Sequence, residues 1–158
     1  MILDTFHDTV YDTKREVATI QAILDTNIIF AGLYSSRGAS HQILRATIAG
    51  EISPILSVAL LFEYEDVLKR STKQLGFSHE AIDSFLDNLC KLSSFQKIYY
   101  LWRPFLSDPK DDHVLELAVA SQVNNITTFN VKDFKGVEQF GVKIISPKQL
   151  LEEIKWEP

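Results

Sequence analysis

Beyond residue 18 the chain alternates short apolar runs with longer segments in which apolar residues recur every three or four positions. The runs Ile20–Leu24, Ile52–Leu56, 95–100, 126–129 and 142–145 have strand length and are apolar throughout or at alternate positions. Between them, Ile43, Leu44, Thr47 and Ile48 share one helical face. Leu60, Leu61, Tyr64, Val67 and Leu68 share a second, and Ile82, Phe85, Leu86 and Leu89 a third. Cys90 extends the third face and reads as a buried thiol. Asp108-Pro109 reads as an N-cap followed by proline at the first helical position, ahead of 113–121; Ser146-Pro147 with Gln149 repeats the pattern ahead of 150–154. Strands alternating with helices at this rhythm predict an α/β fold, a three-layer α/β/α sandwich with a mainly parallel central sheet.

Residues 1–18 break the pattern. They hold few core formers and repeat Asp-Thr at Asp4-Thr5, Asp8-Thr9 and Asp12-Thr13. We expect an N-terminal arm, flexible or partner-contacting, outside a domain spanning 19–158; a metal group of Asp4, His7 and Asp8 is a second reading of the same stretch. The 158 residues suit one domain, and 46% hydrophobic content is enough to bury a core. Sixteen Lys and Arg against 21 Asp and Glu give a formal net charge of −5, so a polyanion is repelled on average and needs a local basic patch or bound cations. A lone cysteine and the lack of a run of about 18 apolar residues or of a basic segment leading into an apolar signal core predict a cytoplasmic protein with no membrane contact.

Ligands of open parallel sheets gather beyond the carboxyl ends of the strands. Polar residues directly after apolar runs are therefore the candidates. Asp25 follows Ile23-Leu24, with Thr26 and Asn27 able to hold it or to cap the next helix. Asp111 and Asp112 fall in the first turn of a helix, where the helix dipole already favours acids; Asp111 suits a cap with Asp108, leaving Asp112 for other work. Asn130 and Asp133 follow the run 126–129. Glu63 and Glu65 sit at opposite rims of one apolar helix face, and periodicity does not choose between them. Plain caps, turns and solvated charges remain open readings for each segment taken alone.

Taken together, Leu24-Asp25-Thr26-Asn27, the acid-bearing helix that follows Ser57, the segment from Asp108 to Ala118, and Thr127-Thr128-Phe129-Asn130-Val131-Lys132-Asp133-Phe134 come in an order and spacing that resemble the PIN-domain family of metal-dependent ribonucleases. The resemblance runs over about residues 20–154 and is closest to a branch of toxin components of bacterial toxin–antitoxin pairs. It implies an endoribonuclease with Asp25, Glu63 and Asp112 as catalytic and metal-binding acids, supported by Asn27, Asn130 and Asp133. It also implies Mg²⁺ or Mn²⁺ as cofactor, an RNA substrate cut to leave a 5′-phosphate and a 3′-hydroxyl, an antitoxin protein as partner, and a homodimer. Many members carry an aspartate where this chain has Asn130, which bears on a second metal site.

The chemistry is coherent with those residue types. Carboxylates facing one pocket repel by about 4 kcal/mol per close pair at an effective dielectric near 20. A hard divalent cation offsets that repulsion, and oxygen-only ligands favour Mg²⁺ or Mn²⁺ over zinc. The same ion polarises a phosphodiester and acidifies water. Arg37, Arg45, Lys69, Arg70 and Lys73 are candidates for phosphate contact and Tyr34, Trp102 and Phe129 for base stacking, each with a plain surface reading beside it. His113 reads as an acid–base partner of Asp112 or as a surface histidine, and Trp156 as a docking residue. Two rivals stay open: a non-catalytic protein-binding module on the same scaffold, and a phosphate-transfer domain, for which no suitably placed lysine is evident.

Overall fold

A computed structural model describes residues 2, 19–99, 101 and 104–158. Strand β1 (Ile20–Leu24) leads into α1 (Thr26–Tyr34) and α2 (Ala39–Ile48); β2 (Ile52–Leu56) leads into α3 (Val58–Arg70), the short α4 (Thr72–Leu75) and α5 (His79–Leu92). After β3 (Ser94–Phe95) come α6 (Asp112–Ser121), β4 (Asn125–Thr127), two 3₁₀ turns (Val131–Phe134 and Val137–Phe140), β5 (Lys143–Ile145) and α7 (Pro147–Glu153). The five strands are all parallel, in the order β3-β2-β1-β4-β5. The architecture is the expected α/β/α sandwich. The expected arm, with its Asp-Thr repeat and the Asp4, His7, Asp8 group, lies outside the described residues; of that segment only Ile2 is described, and it packs partly buried against the core.

Strand β1 is central because it can be buried on both faces: Ala22, Ile23 and Leu24 are fully enclosed. The register pairs Ile20 with Ile52 on one side and Leu24 with Thr127 on the other. From β1 the order runs outward to β2 and β3 in one direction and to β4 and β5 in the other, so the gap between the ends of β1 and β4 is the topological switch point. Helix α6 packs against β1, β2 and β4, while α1 packs on α2 and α3. The α1–α2 approach depends on Gly32, where a Cβ would stand 2.8 Å from Leu44 Cδ1 and 2.9 Å from the Ser40 carbonyl oxygen.

Several local expectations hold and others shift for identifiable reasons. Ser146 and Gln149 form a reciprocal capping box on α7. Trp156 docks on the domain, its indole N–H donating to Gln42 Oε1 at 3.1 Å. Cys90 is half-buried, and burial pushes its thiol pKa up. The expected strand 95–100 shrinks to two residues, because β3 is an edge that pairs only Ser94 with Ile55 and Phe95 with Leu56 before leaving the sheet. The helix expected to start after Asp108 begins at Asp112. Asp108 instead closes a turn, its carboxylate accepting from Lys110 N–H and its carbonyl from Asp111 N–H. That offset decides which acid faces the site.

Candidate active site

At the end of β1 the chain turns from strand to helix through Asp25, which is extended and caps α1. Its backbone N–H donates to the Thr127 carbonyl, continuing the sheet one step past the strands. The Leu24–Thr127 register therefore sets Asp25 beside Thr128. Asp25 is 5% exposed. Its Oδ1 accepts from Thr26 N–H at 2.8 Å; its Oδ2 accepts from the Thr128 hydroxyl at 2.6 Å and from Asn27 Nδ2 at 3.2 Å. The Thr128 hydroxyl in turn accepts from Asn130 N–H, and Asn27 Oδ1 accepts from Phe129 N–H. A polar network thus spans the switch point. Burial still raises the pKa of Asp25 on balance, against the bonds from Thr128 and Thr26 and with the nearby charge of Glu63 adding to it.

Glu63 arrives from the neighbouring side on α3, a helix capped by Ser57, whose hydroxyl accepts from Leu60 N–H. The next residue, Tyr64, is fully buried, and its hydroxyl donates to the Leu24 carbonyl at the tip of β1. That bond anchors α3 at the mouth and sets Glu63 beside α1. The Thr26 hydroxyl donates to Glu63 Oε2, and His113 Nε2 lies 3.4 Å from Glu63 Oε1. Burial pushes the Glu63 pKa up, but the bonds from His113 and Thr26 outweigh it and leave the carboxyl below its ordinary value. Glu65 is pointed elsewhere: Lys69 pairs with it at 2.7 Å and with Asp83 at 2.7 Å. The choice that periodicity left open is made by these contacts.

The third acid at the mouth is Asp111. It precedes α6, makes no capping bond with its side chain, and lines a cavity of about 390 Å³ together with Asp25, Thr26, Asn27, Phe30, Glu63, Val67 and Asn130. Burial and the charges of Asp25, Asp108, Asp133 and Glu63 raise its pKa to about 6. Asp112, expected as the third acid, does not line this cavity. It is 2% exposed, and its carboxylate accepts from Leu106 N–H at 2.8 Å and Phe105 N–H at 3.2 Å. It holds the approach to α6 rather than the mouth.

The supporting residues divide in the same way. Asn27 and Asn130 line the cavity; Asp133 is felt there through its charge on Asp111. His113 is neither exposed nor paired with Asp112: it faces Glu63. Its position two residues beyond Asp111 carries no sequence signal for that contact. Of the candidate phosphate contacts, Lys69 is held by Glu65 and Asp83 and Arg70 by Asp66. Tyr34 and Phe129 are exposed, and Tyr34 stacks on the cavity residue Phe30 with ring centroids 5.8 Å apart. Trp102 lies outside the described residues.

The donors fit a hard divalent ion by their chemistry. Asp25, Glu63, Asp111 and the amide oxygen of Asn130 offer oxygen only, and among the described residues no lysine or arginine is paired with any of the three acids. Burial first, and the neighbouring carboxylates after it, displace two of the three carboxyls, Asp25 and Asp111, toward the protonated form. In their present rotamers, among the described residues, no three acidic, histidine or cysteine side chains converge as a ready-made metal cage. Mg²⁺ and Mn²⁺ sites of this type keep several waters and do not need one.

A family model described as PIN domain matches residues 21–132. No curated protein and no solved structure matches the chain. No helix among the described residues is long and apolar enough to cross a membrane.

Proposed function

The chain belongs to the PIN-domain family, and from that premise we propose that it is a metal-dependent endoribonuclease whose ion is held by Asp25, Glu63 and Asp111. The family is one of nuclease-like folds. The observation that carries the proposal is the gathering of three carboxylates from the end of β1, α3 and the start of α6 into one cavity at the switch point, with no lysine or arginine of the described residues paired with any of them. A Mg²⁺ or Mn²⁺ ion bound there supplies charge neutralisation and polarises a phosphodiester. The protein's own share is to fix the donors. Thr128, Asn27 and the Thr26 amide lock Asp25, Thr26 and His113 hold Glu63, and Asn130 offers a neutral acceptor at the rim. The residual burial of Asp25 and Asp111 makes both carboxyls better partners for a cation than exposed acids would be.

The test compares wild type with Asp25→Asn, Glu63→Gln and Asp111→Asn on RNA, with Mg²⁺ or Mn²⁺ and with chelator. Cleavage abolished by chelator and by each substitution supports the reading. Undiminished cleavage by a folded Asp25→Asn protein overturns it. The rival, a non-catalytic binding module, draws on the neutral Asn130 and on the absence of a closed cage among the described residues; it predicts no divalent-ion stabilisation and no cleavage even with Mn²⁺.

The narrower proposal is a cytoplasmic toxin component, homodimeric and restrained by an antitoxin protein that covers the cavity. Its support is the resemblance of the motifs. The neighbouring reading frame and the oligomeric state of the purified protein test it.

A further inference from the structure

We propose that His113 is a positioning residue that aims Glu63 into the cavity and thereby sets the affinity for the divalent ion; this rests on the ribonuclease reading above. A glutamate has three side-chain torsions, and on an exposed helix rim it samples many rotamers. Glu63 is held at both oxygens instead. Thr26, the first residue of α1, donates to Oε2, and His113 Nε2, reaching across from α6, stands at Oε1. Helices α3 and α6 pack directly on each other, so this contact ties together the two elements that bring Glu63 and Asp111 to the mouth.

The imidazole has no competing employment. Its side chain is 12% exposed, and its buried Nδ1 has no hydrogen-bond partner, so among the described residues the polar contact it makes is the one to Glu63. That leaves the tautomer with the proton on Nε2 as the one that donates to the carboxylate. At 3.4 Å the contact is long for an N–H···O bond. Its loss is therefore expected to alter the aim of Glu63 more than the stability of the fold. Residues that orient metal-binding groups typically change metal affinity by about 10–100-fold when removed.

The experiment is a Mn²⁺ titration of thermal melting without RNA, on wild type, His113→Ala, His113→Gln, Glu63→Gln and the double variant His113→Ala with Glu63→Gln. The apparent Mn²⁺ affinity of His113→Ala is expected to fall about 10-fold or more. His113→Gln, whose amide can donate from a similar position, recovers part of that loss. In the Glu63→Gln background His113→Ala changes nothing further. An unchanged Mn²⁺ titration in His113→Ala overturns the proposal, and so does an equal loss in the Glu63→Gln background, which would mark a structural role. A wild type whose melting ignores Mn²⁺ overturns the metal reading itself and this proposal with it. Should His113→Ala fail to fold, His113→Gln against the double variant His113→Gln with Glu63→Gln gives the same comparison.

Discussion

The junction of β1 with α1 and the turn before α6 each deliver an aspartate to the same cavity, by different means. At the first, the strand end fixes everything: Leu24 is buried and paired with Thr127, so the next residue must emerge beside Thr128, and three donors close on its carboxylate. At the second, two adjacent aspartates share one helix start, about 100° apart around the helix axis. The loop upstream chooses between them. The backbone N–H groups of Phe105 and Leu106 take Asp112, and Asp111 is left for the mouth. A strand end specifies direction from its own sequence, whereas a helix start needs its neighbours to do so.

The largest expected effect breaks the first region. Asp25→Asn keeps the shape but removes a charge held by three donors and sets an amide NH₂ against some of them, so RNA cleavage should fall by about 10³-fold while the variant stays folded with roughly 1–3 kcal/mol less stability in urea unfolding. The second region gives the sharper contrast. Asp111→Asn should cost about 10²-fold or more in cleavage, while Asp112→Asn should leave cleavage within about threefold and cost roughly 1–3 kcal/mol in urea unfolding, because it weakens charge-assisted bonds to buried backbone N–H groups. The reverse pattern would restore Asp112 to the site.

A pH series separates the regions further. Asp111 has its pKa raised to about 6 in the folded chain against 3.8 for the free side chain. Between these values the folded state keeps a proton that the unfolded state has released, so without divalent ion stability should fall as pH rises from about 4 to 6 and then level off. Asp25, also raised, adds to that slope; Glu63, lowered, gains stability as pH rises through its own lower window. Asp111→Asn should flatten the part of the slope near pH 6, as read by urea unfolding in chelator, and Mn²⁺ affinity of wild type should climb by up to about tenfold per pH unit until pH 6. The smallest effect lies away from both acids. Gly32→Ala, which crowds Leu44 and the Ser40 carbonyl, should destabilise by about 1–3 kcal/mol and leave Mn²⁺ affinity unchanged.

The same contrast explains what could be read in the sequence. The central strand, its terminal aspartate, the α3 face and the capping box at Ser146 follow from local patterns that the fold keeps. Glu63 against Glu65 was open to periodicity alone, although Lys69 four residues beyond Glu65 is a legible pairing signal. Asp111 against Asp112 was not legible, because the deciding donors are backbone groups in an irregular stretch with no periodicity. His113 was hidden for a related reason: its contact is with a helix fifty residues upstream, which no local spacing encodes.

The most direct measurement is a crystal structure of the Mn²⁺-soaked protein, with the ion located by its anomalous scattering. One strong peak is expected in the cavity beyond the ends of β1 and β4, bound by Asp25, Glu63 and Asp111 directly or through water, with Asp112 still on Phe105 and Leu106. A peak ligated by Asp112, or a cavity without a peak at saturating Mn²⁺, would contradict it.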